Sequence, residues 1–167
     1  MKLNDAEAFY QLGLGYGYKY WGLPLDRNKA FELFKRGAEL GSIEAHDQLS
    51  KSYKNGFGGV KNGDLKKAQY HCEMAAKGGH EMARHNLGMM WKNLMGYTNH
   101  VMKHYMISAS SGLDLALKEV GEGYKAGHVT KDDYAKTLRA YQRTRDQMTS
   151  VQRTKAAILN PSATNFV

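Results

Sequence analysis

Apolar residues recur along this chain at spacings that wind onto one face of a helix. Ala8, Ala45, Ala83 and Ala116 are each followed four residues later by Leu12, Leu49, Leu87 and Val120. Directly after these stand Gly13, Ser50, Gly88 and Gly121, and three residues beyond those Tyr16, Tyr53, Trp91 and Tyr124. Steps of four and eight residues keep the alanine, the aliphatic and the aromatic residue on one side of a helix. The small residue beside them lets a second helix approach closely. One helix is therefore written four times.

A partner helix follows each copy. Asp26 and Asp64 precede Lys29-Ala30 and Lys67-Ala68, and Ala38 and Ala76 come eight residues after those alanines. Aspartate suits an N-cap, and Gly41 and Gly79 suit the left-handed position after a helix. The third copy keeps Val101, Ala109 and Gly112 but has Tyr97 where the aspartates stood. In the fourth, Thr130 and Asp133 resemble a capping box. Helices are predicted over 5–20, 27–40, 42–54, 65–77, 80–93, 99–111, 113–125 and 131–149. A helix pair of this size cannot bury its apolar face alone, whereas stacked pairs can. The expected fold is all-α, an α/α solenoid of four antiparallel helix pairs. Its repeats are expected at about 5–41, 42–79, 80–112 and 113–150, in one array over 1–155 with a tail at 156–167. The array starts almost at Met1 with no capping segment ahead of it, which leaves a longer parent chain open.

Composition sharpens this picture. The chain has 167 residues, 42% of them hydrophobic, with 18 glycines and 2 prolines. Glycine costs about 1 kcal/mol inside a helix relative to alanine, so its abundance fits many short elements better than a few long ones. No apolar run approaches the roughly 18 residues that span a bilayer, so no membrane association is expected. The first residues lack the apolar core of a secretory signal. The single Cys72 forms no internal disulfide, which favours a reducing, cytoplasmic setting.

The motif A-x3-LG-x2-Y, a glycine-rich loop, D-x2-KA and a closing A-x2-G resemble the Sel1-like repeat (SLR), a branch of the tetratricopeptide-like repeats. Residues 42–79, IEAHDQLSKSYKNGFGGVKNGDLKKAQYHCEMAAKGG within them, are the nearest copy. ARHNLG, KHYMISASSG and TKDDYAKTLRAYQ resemble arrays of marine algae such as diatoms, some of which follow a RING-type zinc module; no such cysteine cluster stands here. The resemblance implies a non-enzymatic scaffold or adaptor that binds another protein.

In tetratricopeptide-like arrays the first helices line a concave groove that holds a peptide or a partner helix. If that geometry carries over, groove positions are Tyr10, Asp47, His85 and Lys118; then Lys51 and Met89, with Leu14 and Glu122; then Lys54, Lys92 and Lys125, with Gly17. Three lysines at one repeat position suit an acidic peptide or a free C-terminus. A helix C-terminus also favours lysine by about 0.3–1 kcal/mol, so solvated caps are the rival reading. The third loop replaces polar turn residues with Leu94, Met95 and Tyr97, an apolar patch if exposed and packing residues if not. The net charge is +8. Lys136, Arg139, Arg143, Arg145, Arg153 and Lys155 stand near Asp146 alone. The stripe Lys136, Arg139 and Arg143 is suited to phosphates. The solvated face of a terminal repeat is the better reading, so nucleic acid is not the expected partner.

No catalytic, metal or cofactor residue is assigned. His100 and His104 share a face at i, i+4, but zinc needs three or four ligands and no carboxylate or thiolate completes the set. His71 and His104 occupy one repeat position, as packing residues would. Cys72 beside His71 is no dyad, because adjacent helical side chains diverge. GLGYGYKYWG lacks the lysine and the strand context of a phosphate loop. Sel1-like proteins that bind β-lactams carry paired cysteines in each repeat; this chain has one cysteine.

Overall fold

The computed structural model describes residues 5–60 and 63–159. Eight α-helices follow in order among them: α1 (Ala6–Tyr18), α2 (Arg27–Glu39), α3 (Ile43–Asn55), α4 (Leu65–Lys77), α5 (Glu81–Met95), α6 (Asn99–Ser110), α7 (Asp114–Lys125) and α8 (Lys131–Leu159). A 3-10 turn, Tyr20–Gly22, follows α1. The chain divides into two compact units between Leu94 and Met95.

Local chemistry explains where the helices start. The Asp26 carboxylate accepts from the Lys29 amide at 2.9 Å and that of Asp64 from the Lys67 amide at 3.0 Å. Each satisfies a donor that the first helical turn leaves open. Thr130 accepts from the Asp133 amide at 3.1 Å, the N-cap half of the expected box, and donates through its hydroxyl to the Asp133 carboxylate at 2.8 Å. The third cap lies one residue from where the alignment puts it. Thr98, not Tyr97, caps α6, accepting from the Val101 amide at 3.3 Å.

Two ends differ from expectation. α1 stops at Tyr18 because Lys19 turns left-handed (φ 59°) and its amide bonds back to the Gly15 carbonyl. Trp21 is left-handed too (φ 55°). α8 runs on to Leu159 without a break. Of the expected tail, 160–167 lies outside the described residues.

In the first unit, α1, α2 and α3 close on Ala30, Phe31, Phe34, Ala38, Ala45 and Leu49, with Tyr10, Leu14, Tyr16, Tyr53 and Val60 packed around them. Each large side chain fully buried there contributes about 1.5–3 kcal/mol. A second cluster joins α4 to α5 through Cys72, Ala75, Ala76, Ala83 and Leu87. The alanines of the repeat are thus the points where helices meet. Gly13 has the same function: a Cβ there would lie 2.5 Å from Cε1 of Phe34, so only glycine leaves that ring its place.

In the second unit α6 packs against α7 and α8. Val101, Met102, Tyr105, Ser108 and Val120 are fully buried. Thr144 donates to the Ser110 carbonyl at 2.9 Å and Tyr141 to the Asp114 carboxylate at 2.6 Å, tying α8 to its neighbours. The close approach here falls at Gly123, against Met102, rather than at Gly121, which the repeat pattern marks.

Candidate functional site

Two helices of the first unit present the same i, i+3, i+4, i+7 stripe to one cavity. From α2 come Arg27, Ala30, Phe31 and Phe34; from α3 come Gln48, Lys51, Ser52 and Asn55. Gly17 and Tyr18 at the end of α1 and Phe57 after α3 complete a space of about 210 Å³. The turn that places Phe57 is set by Gly56, left-handed at φ 73°, and by the Phe57 amide donating to the Ser52 carbonyl at 2.9 Å. The Arg27 guanidinium lies 4.8 Å from the centroid of the Phe57 ring, a cation–π contact that orients both. Across the cavity Tyr18 donates to the Gln48 side chain at 3.2 Å.

The chemistry of this lining is divided. Ala30, Phe31 and Phe34 are buried and make an apolar floor. Arg27 brings positive charge, Lys51 brings an ammonium paired with the Asp47 carboxylate, and Gln48 and Asn55 bring carboxamides, which offer donor and acceptor together and so match a peptide group. Such a surface can take an apolar side chain, bond the backbone beside it and attract a carboxylate.

Of the expected groove residues, Lys51 and Gly17 line this cavity. Tyr10 packs toward Phe34, and burial followed by the Glu44 charge raises its hydroxyl above the usual tyrosine range. Asp47 is 2% exposed and ion-paired with Lys51. His85 is buried, Met89 and Lys92 are half-buried, and Lys54 is exposed. In the second unit Lys118 and Lys125 are exposed, with Lys125 2.9 Å from Glu122. Leu94 and Met95 are 70% and 59% exposed. Tyr97 is half-buried, donating to Glu119 at 3.2 Å and stacking on His128. Lys136, Arg139 and Arg143 are all exposed on α8. Arg27, Phe31 and Phe34 lie on α2, a second helix, off the first-helix positions that the repeat phase marks. Their spacing on α2 was the available signal.

A second group of side chains gathers where α3 and α4 meet. His46 and His71 face each other with Nδ1 atoms 2.9 Å apart, and Tyr53 stacks on His71 at 5.4 Å between centroids. Burial lowers both imidazoles below the usual histidine range, His71 to about 4, with the charges of His46 and Lys67 adding to the effect there. Lys35 and Glu39 face the pair from α2. A histidine depressed in the native state takes up its proton more readily when unfolded. Its stabilising effect is therefore complete above pH 6.5 and is lost as pH falls toward 4. Unfolding free energy measured by urea titration is expected to fall across that window, and His71→Phe, which keeps the stack on Tyr53, is expected to flatten the slope. Cys72 lies nearby but is inert: burial pushes its thiol up to about 11, and Sγ donates to the Ala83 carbonyl at 3.1 Å. Among the described residues no three or more histidine, cysteine or acidic side chains are grouped to hold a metal ion. No described helix is long and apolar enough to cross a membrane.

No protein-family model matches the chain and no curated protein matches it. Solved structures do. A protective antigen present in uropathogenic Escherichia coli strains, which displays an SLR fold, superposes with a TM-score of 0.71 at 23% identity, over 85% of this chain and 30% of that one. A Sel1 repeat protein from Oxalobacter formigenes superposes with a TM-score of 0.70 at 23% identity, over 86% of this chain and 59% of that one. The chain thus spans about a third to three-fifths of the lengths of these two neighbours. With the repeated helix pairs and their caps already in place, the likeness settles the architecture: the chain has the Sel1-like repeat fold, all-α and of the α/α-solenoid class.

Proposed function

We propose that this chain is a non-enzymatic protein-interaction module whose cavity between α1, α2 and α3 receives an apolar side chain of an acidic partner peptide. The observation that carries the reading is the lining itself: an apolar floor of Phe31 and Phe34 under Arg27, Lys51, Gln48 and Asn55. Buried aromatic pockets with charged and amide rims are where peptide-binding energy concentrates. The fold supports a scaffold role, because a repeat array presents extended surface at low structural cost. The buried, reduced Cys72 is compatible with a cytoplasmic setting.

A second reading, polyanion binding, rests on Lys136, Arg139 and Arg143, exposed along one stripe of α8. One experiment separates the two. A peptide selected by display on the whole chain is titrated, by fluorescence anisotropy, into wild type, Arg27→Glu, Phe57→Ala and Arg139→Glu. The cavity reading predicts affinity at least about tenfold lower for the first two variants and unchanged for the third. Equal affinity for wild type, Arg27→Glu and Phe57→Ala overturns it. A loss confined to Arg139→Glu favours the α8 stripe.

A further inference from the structure

We propose that the turn after α1 is an aromatic ledge that reads a proline-containing, polyproline-type stretch of an acidic peptide. Its ligand is that of the proposed function, so the ledge rests on that reading and extends the site beyond the cavity. Tyr18, Tyr20 and Trp21 stand close together, each at least half exposed. Tyr18 stacks on Tyr20 at 5.8 Å between centroids, and Trp21 meets Tyr20 edge-on at 6.0 Å. The row is continuous with the cavity, because Tyr18 also lines that space and donates to Gln48. A contiguous patch of exposed rings marks a contact surface, and tyrosine and tryptophan are the residues on which binding energy concentrates.

The backbone is bent to present these rings. Lys19 and Trp21 both hold left-handed conformations, at φ 59° and 55°. Non-glycine residues keep such a conformation only where their surroundings over-determine it, and they gather at ligand sites. The Cε3–Cζ3 edge of Trp21 is seated over Gly15, where a Cβ would come within 3.1 Å, so Nε1 lies on the far edge of the ring. Neither the Trp21 indole N–H nor the Tyr20 hydroxyl has a hydrogen-bond partner among the described residues. The amides of Lys19, Leu23 and Asp26 are spent on the Gly15, Tyr20 and Tyr16 carbonyls, which leaves little backbone for an added strand. A polyproline helix needs none. It has no internal hydrogen bonds, its prolines carry no N–H, and its carbonyls stand free to accept. Ring faces beside two side-chain donors match that ligand. At about 3.1 Å per residue, about four residues of it cover the row. Charge agrees: from Tyr16 to Lys29 stand Lys19, Arg27 and Lys29, while the one acid, Asp26, is spent on its helix cap.

The test titrates the display-selected peptide and its proline-to-alanine version into wild type, Tyr20→Ala and Arg27→Glu by fluorescence anisotropy. The selected peptide is expected to carry at least two prolines, and replacing them by alanine to lower affinity at least about tenfold. Tyr20→Ala is expected to lower it by a similar factor. A peptide without proline, equal affinity of the alanine version, or unchanged affinity in Tyr20→Ala overturns the proposal. If Arg27→Glu still weakens binding in those cases, the cavity reading stands without the ledge. A loss in Tyr20→Ala with none in Arg27→Glu keeps the ledge and removes the cavity, and failure to select any peptide overturns both. Sedimentation velocity checks the other occupant. A dimer that Tyr20→Ala dissolves gives the rings to a second copy of the chain and overturns the proposal. If Tyr20→Ala does not fold, the alanine peptide on wild type decides alone.

Discussion

Leu49→Ala is expected to destabilise the chain by about 2–5 kcal/mol, toward the upper end of that range. Leu49 is 1% exposed and packs among Phe31, Phe34, Ala30, Ala38 and Ala45. The cost of deleting a core side chain grows with the cavity left behind, and the cavity shrinks only if neighbours move in. Here several neighbours are alanines whose methyl groups cannot reach further, so only a shift of whole helices could fill the space. Leu49→Met, which conserves volume, is expected to cost less than about 1.5 kcal/mol. Urea unfolding followed by circular dichroism measures both. A loss below about 1 kcal/mol for the alanine variant would show that α2 and α3 close up freely, against the packing described here.

Gly58→Ala is expected to cost about 2–5 kcal/mol, although it adds a single methyl group. Gly58 is left-handed at φ 71°, which an L side chain occupies at a cost of about 1–2 kcal/mol. The added Cβ would also lie 2.3 Å from the Cβ of Phe31, an atom that cannot swing aside because it sits at the root of a buried side chain. Overpacking of this kind adds about 1–3 kcal/mol. Gly41→Ala separates the two effects, since Gly41 is left-handed at φ 92° with nothing within 4 Å of its Cβ direction. It should cost about 1–2 kcal/mol, the backbone part alone. The expected signature is a Tm lowered several degrees further in Gly58→Ala than in Gly41→Ala. Equal shifts would remove the role given to the Phe31 contact. Because Phe31 lines the cavity proposed to take a peptide, the first variant is also expected to weaken binding there.

The helices were legible because their apolar period is long and repeated. Ala45 and Leu49 mark a face that Ala83 and Leu87 mark again, and both pairs are buried where the pattern puts them. Asp26 and Asp64 were legible as caps because a carboxylate three residues before an amide has one obvious use. The end of α1 was not. Trp21 adopts φ 55°, a conformation rare for so large a side chain. Its ring lies against Gly15, where a Cβ would come within 3.1 Å of it. That seat depends on the chain doubling back, which no local spacing records. The cavity between α1, α2 and α3 was half legible. Lys51 follows from the repeat phase, whereas Phe57 enters only through the turn that Gly56 and Ser52 fix. His46 and His71 lie 25 residues apart on different helices, and their meeting follows from helix packing rather than from sequence spacing.

A partner peptide seated in the cavity between α1, α2 and α3 is what the proposed function requires. The most direct measurement is paramagnetic broadening of the amide spectrum of the whole chain by the display-selected peptide carrying a nitroxide label. The cavity model predicts that broadening centres on Arg27, Gln48, Lys51, Asn55 and Phe57. Broadening centred on Lys136, Arg139 and Arg143, with the amides of α2 and α3 untouched, would contradict it.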